Sequence, residues 1–202
     1  WKRFCMLEKD FNKEATGLLE QIDNSNETAF ARLYAMYARR LIVFSGSILH
    51  SREMAEEVVE DVFVKIWNKR GTLAGIENIS VYLYTAIKNQ SLSRLSDKAH
   101  KLITAPFDDL NPSVEAINQD PYSIFITSEM LNRVNDVVET LPPRCKMIFK
   151  LIREDGLKYK EVAAILNISV NTIDAQMAIA VKRICEAIGI TKTTDKATKI
   201  TG

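Results

Sequence analysis

"YKEVAAILNISVNTIDAQMAIAVKRI", residues 159–184, holds two helical patterns separated by a short break. Ala163, Asn167 and Ile173 stand at spacings of four and six. They supply what a helical corner needs: a small residue where the helices touch, a residue tolerant of positive φ at the turn, and an apolar anchor on the second helix. Ser169 is placed to cap that second helix. The spacing predicts helices over 158–166 and 170–188, the latter buried along Ile173, Met177, Ala180, Ile184 and Ile188. Asn171, Thr172, Ala175 and Gln176 are left facing outward near its N-terminus, where recognition helices meet base edges. Asn and Gln can bond adenine bidentately, and Ala or a Thr methyl can pack on thymine. The alternative is an αα corner inside a bundle that touches no nucleic acid.

Charge does not decide between these readings. The 202 residues carry a net charge of +1, so any nucleic-acid contact must rest on local patches. Residues 141–190 hold eight Lys or Arg against five Asp or Glu, a mild excess suited to weak phosphate binding. Lys158, Lys160, Lys182 and Arg183 are its members closest to the corner.

Upstream, helical periodicity recurs. Leu18, Leu19 and Ile22 form one stripe. Ser25 or Asn26 can cap a second helix carrying Phe30, Leu33, Tyr34, Tyr37 and Leu41. In "SREMAEEVVEDVFVKIWNKR" an apolar face of Val58, Val59, Val62, Phe63, Ile66 and Trp67 opposes an acidic one. Residues 71–78 read as a loop, followed by a helix in "SVYLYTAIKNQSLSRL". Residues 106–129 have five acids, no Lys or Arg, and three of the five prolines, which reads as a linker. No strand alternation is visible. The expectation is an all-α chain of two helical domains: a tail over 1–12, a first domain over 13–103, a linker over 104–127, a second domain over 128–188, and a disordered tail over 189–202.

Several function classes are disfavoured. Cys5, Cys145 and Cys185 have no CxxC spacing, and His50 and His100 lie far apart, so neither a disulfide nor a metal site is expected. There is no Gly-rich phosphate loop and no nucleophile with a base beside it; no enzyme, cofactor or small-molecule substrate is expected. No apolar run approaches the ~20 residues of a membrane span, and Trp1, Lys2 and Arg3 open no signal-type segment. A cytoplasmic protein is expected.

Two stretches, "AFARLYAMYARRL…AEEVVEDVFVKIWNKR…ISVYLYTAIKNQSLSRL" and "LPPRCKMIFKLIREDGLKYKEVAAILNISVNTIDAQMAIAVKRI", resemble domains 2 and 4 of bacterial RNA polymerase sigma factors of the extracytoplasmic-function (ECF) group. The resemblance covers about three quarters of the chain, in the family's order. It implies a factor that binds core RNA polymerase through the β′ clamp and β flap, recognises and melts promoter DNA, and is held by an anti-sigma partner. Glu57, Glu60, Asp61 and Phe63 then match the clamp-docking surface. Tyr82, Tyr84, Lys88, Asn89, Arg94 and Asn78 match the −10 element reader, with residues 71–78 as the pocket loop for an unpaired base. The tyrosines have stacking chemistry and the cations phosphate chemistry, although the tyrosines can equally be helix core. Ser169, Asn171, Thr172, Ala175 and Gln176 match the −35 reader. This chain has Asp174, Gln176 and Ile179 where relatives often carry Arg or Lys, which implies weak −35 affinity offset by tethering to polymerase. The runner-up is a stand-alone helix-turn-helix regulator.

Overall fold

The computed structural model describes residues 14–99 and 128–187. The expected tails and the expected acidic linker lie outside the described residues. Every regular element described is helical. The first block comprises α1 (14–23), α2 (Glu27–Leu49), α3 (Arg52–Asn68), a 3₁₀ turn (Arg70–Gly75) and α4 (Ile79–Ala99). The second comprises α5 (Ser128–Glu139), α6 (Pro143–Arg153), α7 (Tyr159–Leu166) and α8 (Val170–Ala187). These are the two helical domains expected.

Local chemistry sets the helix limits. Of the two candidate caps for α2, Asn26 is the one used: its Oδ1 accepts the Ala29 N–H at 3.0 Å. Ser25 instead takes a left-handed conformation (φ 62°) and accepts a hydrogen bond from Arg70 Nε at 2.9 Å. His50, at φ 52° and ψ 28°, ends α2, and Ser51 caps α3 through the Met54 N–H. Pro143 opens α6 at a position where its missing N–H costs nothing.

α2, α3 and α4 pack as a bundle around Leu33, Leu41, Ile48, Val58, Ile66 and Ile87, all at most 1% exposed. Burying each such side chain is worth about 1.5–3 kcal/mol. Phe30, Tyr34, Phe63 and Trp67 form an aromatic group between α2 and α3, with ring centroids 4.9–6.0 Å apart. Two buried hydroxyl pairs cross from α2 to α4: Tyr37 Oη with Ser80 Oγ at 2.8 Å, and Ser45 Oγ with Ser91 Oγ at 2.9 Å. Each satisfies groups that would be costly to bury alone. In the second block α8 is the spine, touching α5, α6 and α7.

The blocks also touch each other. α7 packs on α4, and one apolar cluster runs from Leu83, Tyr84 and Ile87 to Leu157, Val162 and Ile165. Hydropathy periodicity shows which face of a helix is apolar; it does not show that two such faces, some eighty residues apart, cover each other.

Candidate nucleic-acid interface

The corner forms as its spacing requires. α7 ends at Asn167, whose φ of 56° and ψ of 48° are left-handed and whose N–H bonds the Ala163 carbonyl. The chain bends by 111° into α8, within the range of helix-turn-helix motifs. Ser169 Oγ accepts the Thr172 N–H at 3.0 Å and lies 2.8 Å from Thr172 Oγ1. Ile173, Met177 and Ala180 are buried as expected, and Ile184 is partly buried beside Val138, Leu141 and Cys145. Ile188 lies outside the described residues. Asn171 and Ala175 are exposed, and Thr172 and Gln176 half-buried. The Gln176 carbonyl accepts a hydrogen bond from the Cys145 thiol at 3.2 Å, fixing this turn of α8 against α6.

Lys158, Lys160, Lys182 and Arg183 are exposed around the corner. Lys182 lies 4.0 Å from Glu186, and Arg183 Nη1 reaches the Thr140 carbonyl at 3.4 Å. The local positive excess is smaller than the sequence indicates, because Lys146 and Lys150 both bind Glu139 at 2.9 Å. Burial opposes ionisation of Glu139, but the hydrogen bonds from Lys150 and Lys146 prevail and hold its carboxyl below the ordinary range. These two lysines tie α5 to α6 rather than serving phosphates.

On α4, Tyr82 and Asn89 are exposed seven residues apart, on one helical face, with Lys88 half-buried beside them. Tyr84 is 1% exposed, its ring edge-on to Phe44 at 5.1 Å. In this arrangement it has no surface to offer a base. Asn78 caps α4 through the Val81 N–H and donates from Nδ2 to Glu161 Oε1 at 2.8 Å. The loop before it begins with the 3₁₀ turn. That turn is pinned by Asp23, which accepts the Leu73 N–H at 3.1 Å, and by Arg70, stacked 4.7 Å over Trp67.

On α3, Glu57 and Glu60 are exposed and Asp61 half-buried, while Phe63 is 1% exposed within the aromatic group. Phe63 therefore presents nothing to a partner here. Its place in the apolar stripe already allowed that. Arg94 lies 2.7 Å from Asp61 and 3.6 Å from Glu57, so the cation expected on DNA is shared with acids expected on polymerase.

Two family descriptions fit the chain in sequence order: "Sigma-70 region 2" over residues 33–101 and "Sigma-70, region 4" over residues 131–184. The chain belongs to the sigma-70 family, in its ECF group. Among its relatives, the ECF RNA polymerase sigma-E factor of Escherichia coli is 23% identical over 170 residues, covering 79% of this chain and 86% of the relative. The RNA polymerase sigma-H factor of Pseudomonas aeruginosa is 20% identical over 177 residues, covering 85% and 92%. The fold is similar to that of CnrH solved with the cytosolic domain of CnrY (17% identity, TM-score 0.53, covering 87% of this chain and 97% of that one). It is similar too to the sigma factor RpoE of Bartonella quintana solved with the anti-sigma factor NepR (21% identity, TM-score 0.54, covering 81% and 98%).

In this sigma factor, α2 to α4 fall largely within the region 2 match and α5 to α8 within the region 4 match. Sequence reasoning missed the residues that join the regions: Arg40, Asp155 and Glu161. Asp155 stands in a helix-ending turn before Gly156 (φ 72°), which signals a turn but no partner. Burial pushes its carboxyl up to about 6, against the pull of Tyr84 and of Arg40, whose Nε lies 3.9 Å away.

Proposed function

We propose that this sigma factor initiates transcription by docking on core RNA polymerase through the acidic face of α3 and reading promoter DNA at two elements. In this reading Glu57, Glu60 and Asp61 meet the β′ clamp, and region 4 meets the β flap. Tyr82 and Asn89, with Lys88 behind them, take the −10 element, and Asn78 and Arg94 are recruited once their present partners are displaced. Asn171, Thr172, Ala175 and Gln176 face the −35 element, with the capped N-terminus of α8 offering backbone N–H groups to phosphate. Lys158, Lys160, Lys182 and Arg183 add charge.

The observation that carries the reading is the occurrence of both regions on one chain, each with an exposed face of suitable chemistry. A regulator that bound DNA alone would have no use for region 2. The small basic excess at the corner favours weak −35 contact made effective by tethering. Melting follows from holding unstacked bases on α4, where each aromatic–base stack is worth about 1–3 kcal/mol. An anti-sigma factor is a further proposed partner, supported by the partners named in the two similar solved structures. The test is transcription in vitro with sigma-free core polymerase and mapped start sites. Discrete starts sharing two upstream elements support the reading; core binding without any start would leave only an interaction protein.

A further inference from the structure

α8 presents one pole away from the rest of region 4. At about 100° per residue, Ile173, Met177 and Ala180 point into the core, and all three are buried. Opposite them, within an arc of about 100°, stand Asn171, Ala175, Ala178, Ile179 and Lys182, all exposed. Ala175, Ala178, Ile179 and Lys182 follow the i, i+3, i+4, i+7 spacing with which the recognition helix of a homeodomain reads base edges. From Asn171 to Lys182 the helix runs about 16 Å, the length of about five base pairs at ~3.4 Å each. The pole is continuous with the Ser169-capped N-terminus of α8, and the 111° corner sets it off from α7.

The chemistry of this pole is unequal along its length. Asn171 can bond a base edge, and Lys182 can meet a phosphate. Between them Ala175, Ala178 and Ile179 offer methyl groups and neither a donor nor an acceptor. Ile179 is 41% exposed. The half-buried Thr172 and Gln176 lie toward one flank, and Asp174 lies toward the other, where its carboxylate repels phosphate. The middle of the pole therefore has neither hydrogen bonds nor charge with which to hold DNA.

The major groove shows one apolar feature, the C5-methyl of thymine; the other groups read there are donors and acceptors. A G·C edge covered by Ala178 or Ile179 would lose its water and gain no partner, at the cost of an unmade hydrogen bond. A thymine methyl in the same place gains by leaving water. The pole thus discriminates by what it covers as well as by what it attracts.

We infer that Ala175, Ala178 and Ile179 read thymine methyl groups, so that the upstream element of this factor holds a short run of A·T pairs beside the base pair met by Asn171. The inference rests on the sigma reading above and names the base chemistry of its −35 element.

The test uses holoenzyme assembled from the full chain and sigma-free core polymerase, on a promoter fragment recovered by mapping its start sites. The upstream element is randomised and the bound fragments are sequenced; adjacent A·T pairs are expected. Each thymine of that run is then replaced by deoxyuridine, which removes the C5-methyl and keeps every hydrogen-bonding group. Binding should weaken roughly fourfold per contacted methyl at constant salt. Ile179→Ser, an exposed change that leaves the buried side chains of region 4 alone, should weaken binding to the thymine fragment and abolish the difference between thymine and deoxyuridine at one position. At that position 5-methylcytosine should bind the wild-type chain better than cytosine does, because it restores the methyl without thymine. Equal binding to thymine and deoxyuridine fragments throughout, with starts still sharing two upstream elements, would overturn the methyl reading and leave the sigma reading intact. A loss on Ile179→Ser of the same size on both fragments would assign the pole to a protein contact and overturn the methyl reading equally. No discrete starts from any fragment would overturn the sigma reading and this one with it.

Discussion

Arg94 of α4 holds Asp61 of α3 at 2.7 Å, so a residue proposed to meet DNA and one proposed to meet polymerase neutralise each other across two helices. Both side chains are more than a third exposed, and solvent screening keeps such a pair weak. The expected coupling in a cycle of Arg94→Ala and Asp61→Ala is about 0.5–1 kcal/mol, read by urea denaturation. Arg94→Ala should weaken −10 binding and also leave the acidic face of α3 more negative. Core affinity, measured at two salt concentrations, should therefore rise slightly for this variant at low salt.

The Asp155 carboxyl gives a pH signature. It is pushed up to about 6 from an ordinary 3.8, chiefly by burial. Tyr84 from α4, Arg40 from α2 and Lys150 from α6 face it, together with neighbouring Glu154. Between those two values the folded chain holds a proton that the unfolded chain has lost. The penalty is absent below pH 3.8 and complete above about pH 6. The expected result is that wild-type stability, relative to Asp155→Asn, falls by at most about 3 kcal/mol as pH rises through this window. Urea melts of both proteins at pH 4.5, 5.5 and 7 check the sign. A difference that grows in favour of wild type would contradict it.

Asn167 occupies a left-handed conformation at the corner. Asn167→Gly should leave thermal stability nearly unchanged, whereas Asn167→Val should cost about 1–2 kcal/mol, because a β-branched side chain meets the following carbonyl. Ser169→Ala removes the cap of α8 and should cost about 1 kcal/mol. Start-site use at promoters that depend on the −35 element should fall with it.

Gly46 is buried within α2, and a Cβ added there would meet Ala55 Cβ at 3.9 Å, an ordinary contact. Gly46→Ala should therefore stabilise the chain by about 0.5–1 kcal/mol, seen as a raised melting temperature.

Much of this architecture is legible in the residues. Ala163, Asn167 and Ile173 locate the corner because backbone geometry restricts what can stand at a left-handed turn and at a close helix crossing. The stripe Ile173, Met177 and Ala180 follows from helical period alone. Tyr84 and Phe63 show where period stops being informative. Each lies on the boundary between an apolar stripe and a chemically attractive face, and only packing against Phe44 or Tyr34 settles which side it joins. The pairs Lys146 with Glu139, Arg94 with Asp61, and Asn78 with Glu161 are illegible for a related reason. A charge in a sequence marks a solvated or paired group, and its partner is set by which helices come together, in the last case across 83 positions.

The most direct test is initiation itself: purified chain, sigma-free core polymerase, and a genomic fragment library with start sites mapped. Discrete starts that share two upstream elements, lost on Gln176→Ala together with Asn89→Ala, are the expected result. No binding to core, with DNA binding retained, would contradict the account and leave a stand-alone helix-turn-helix regulator.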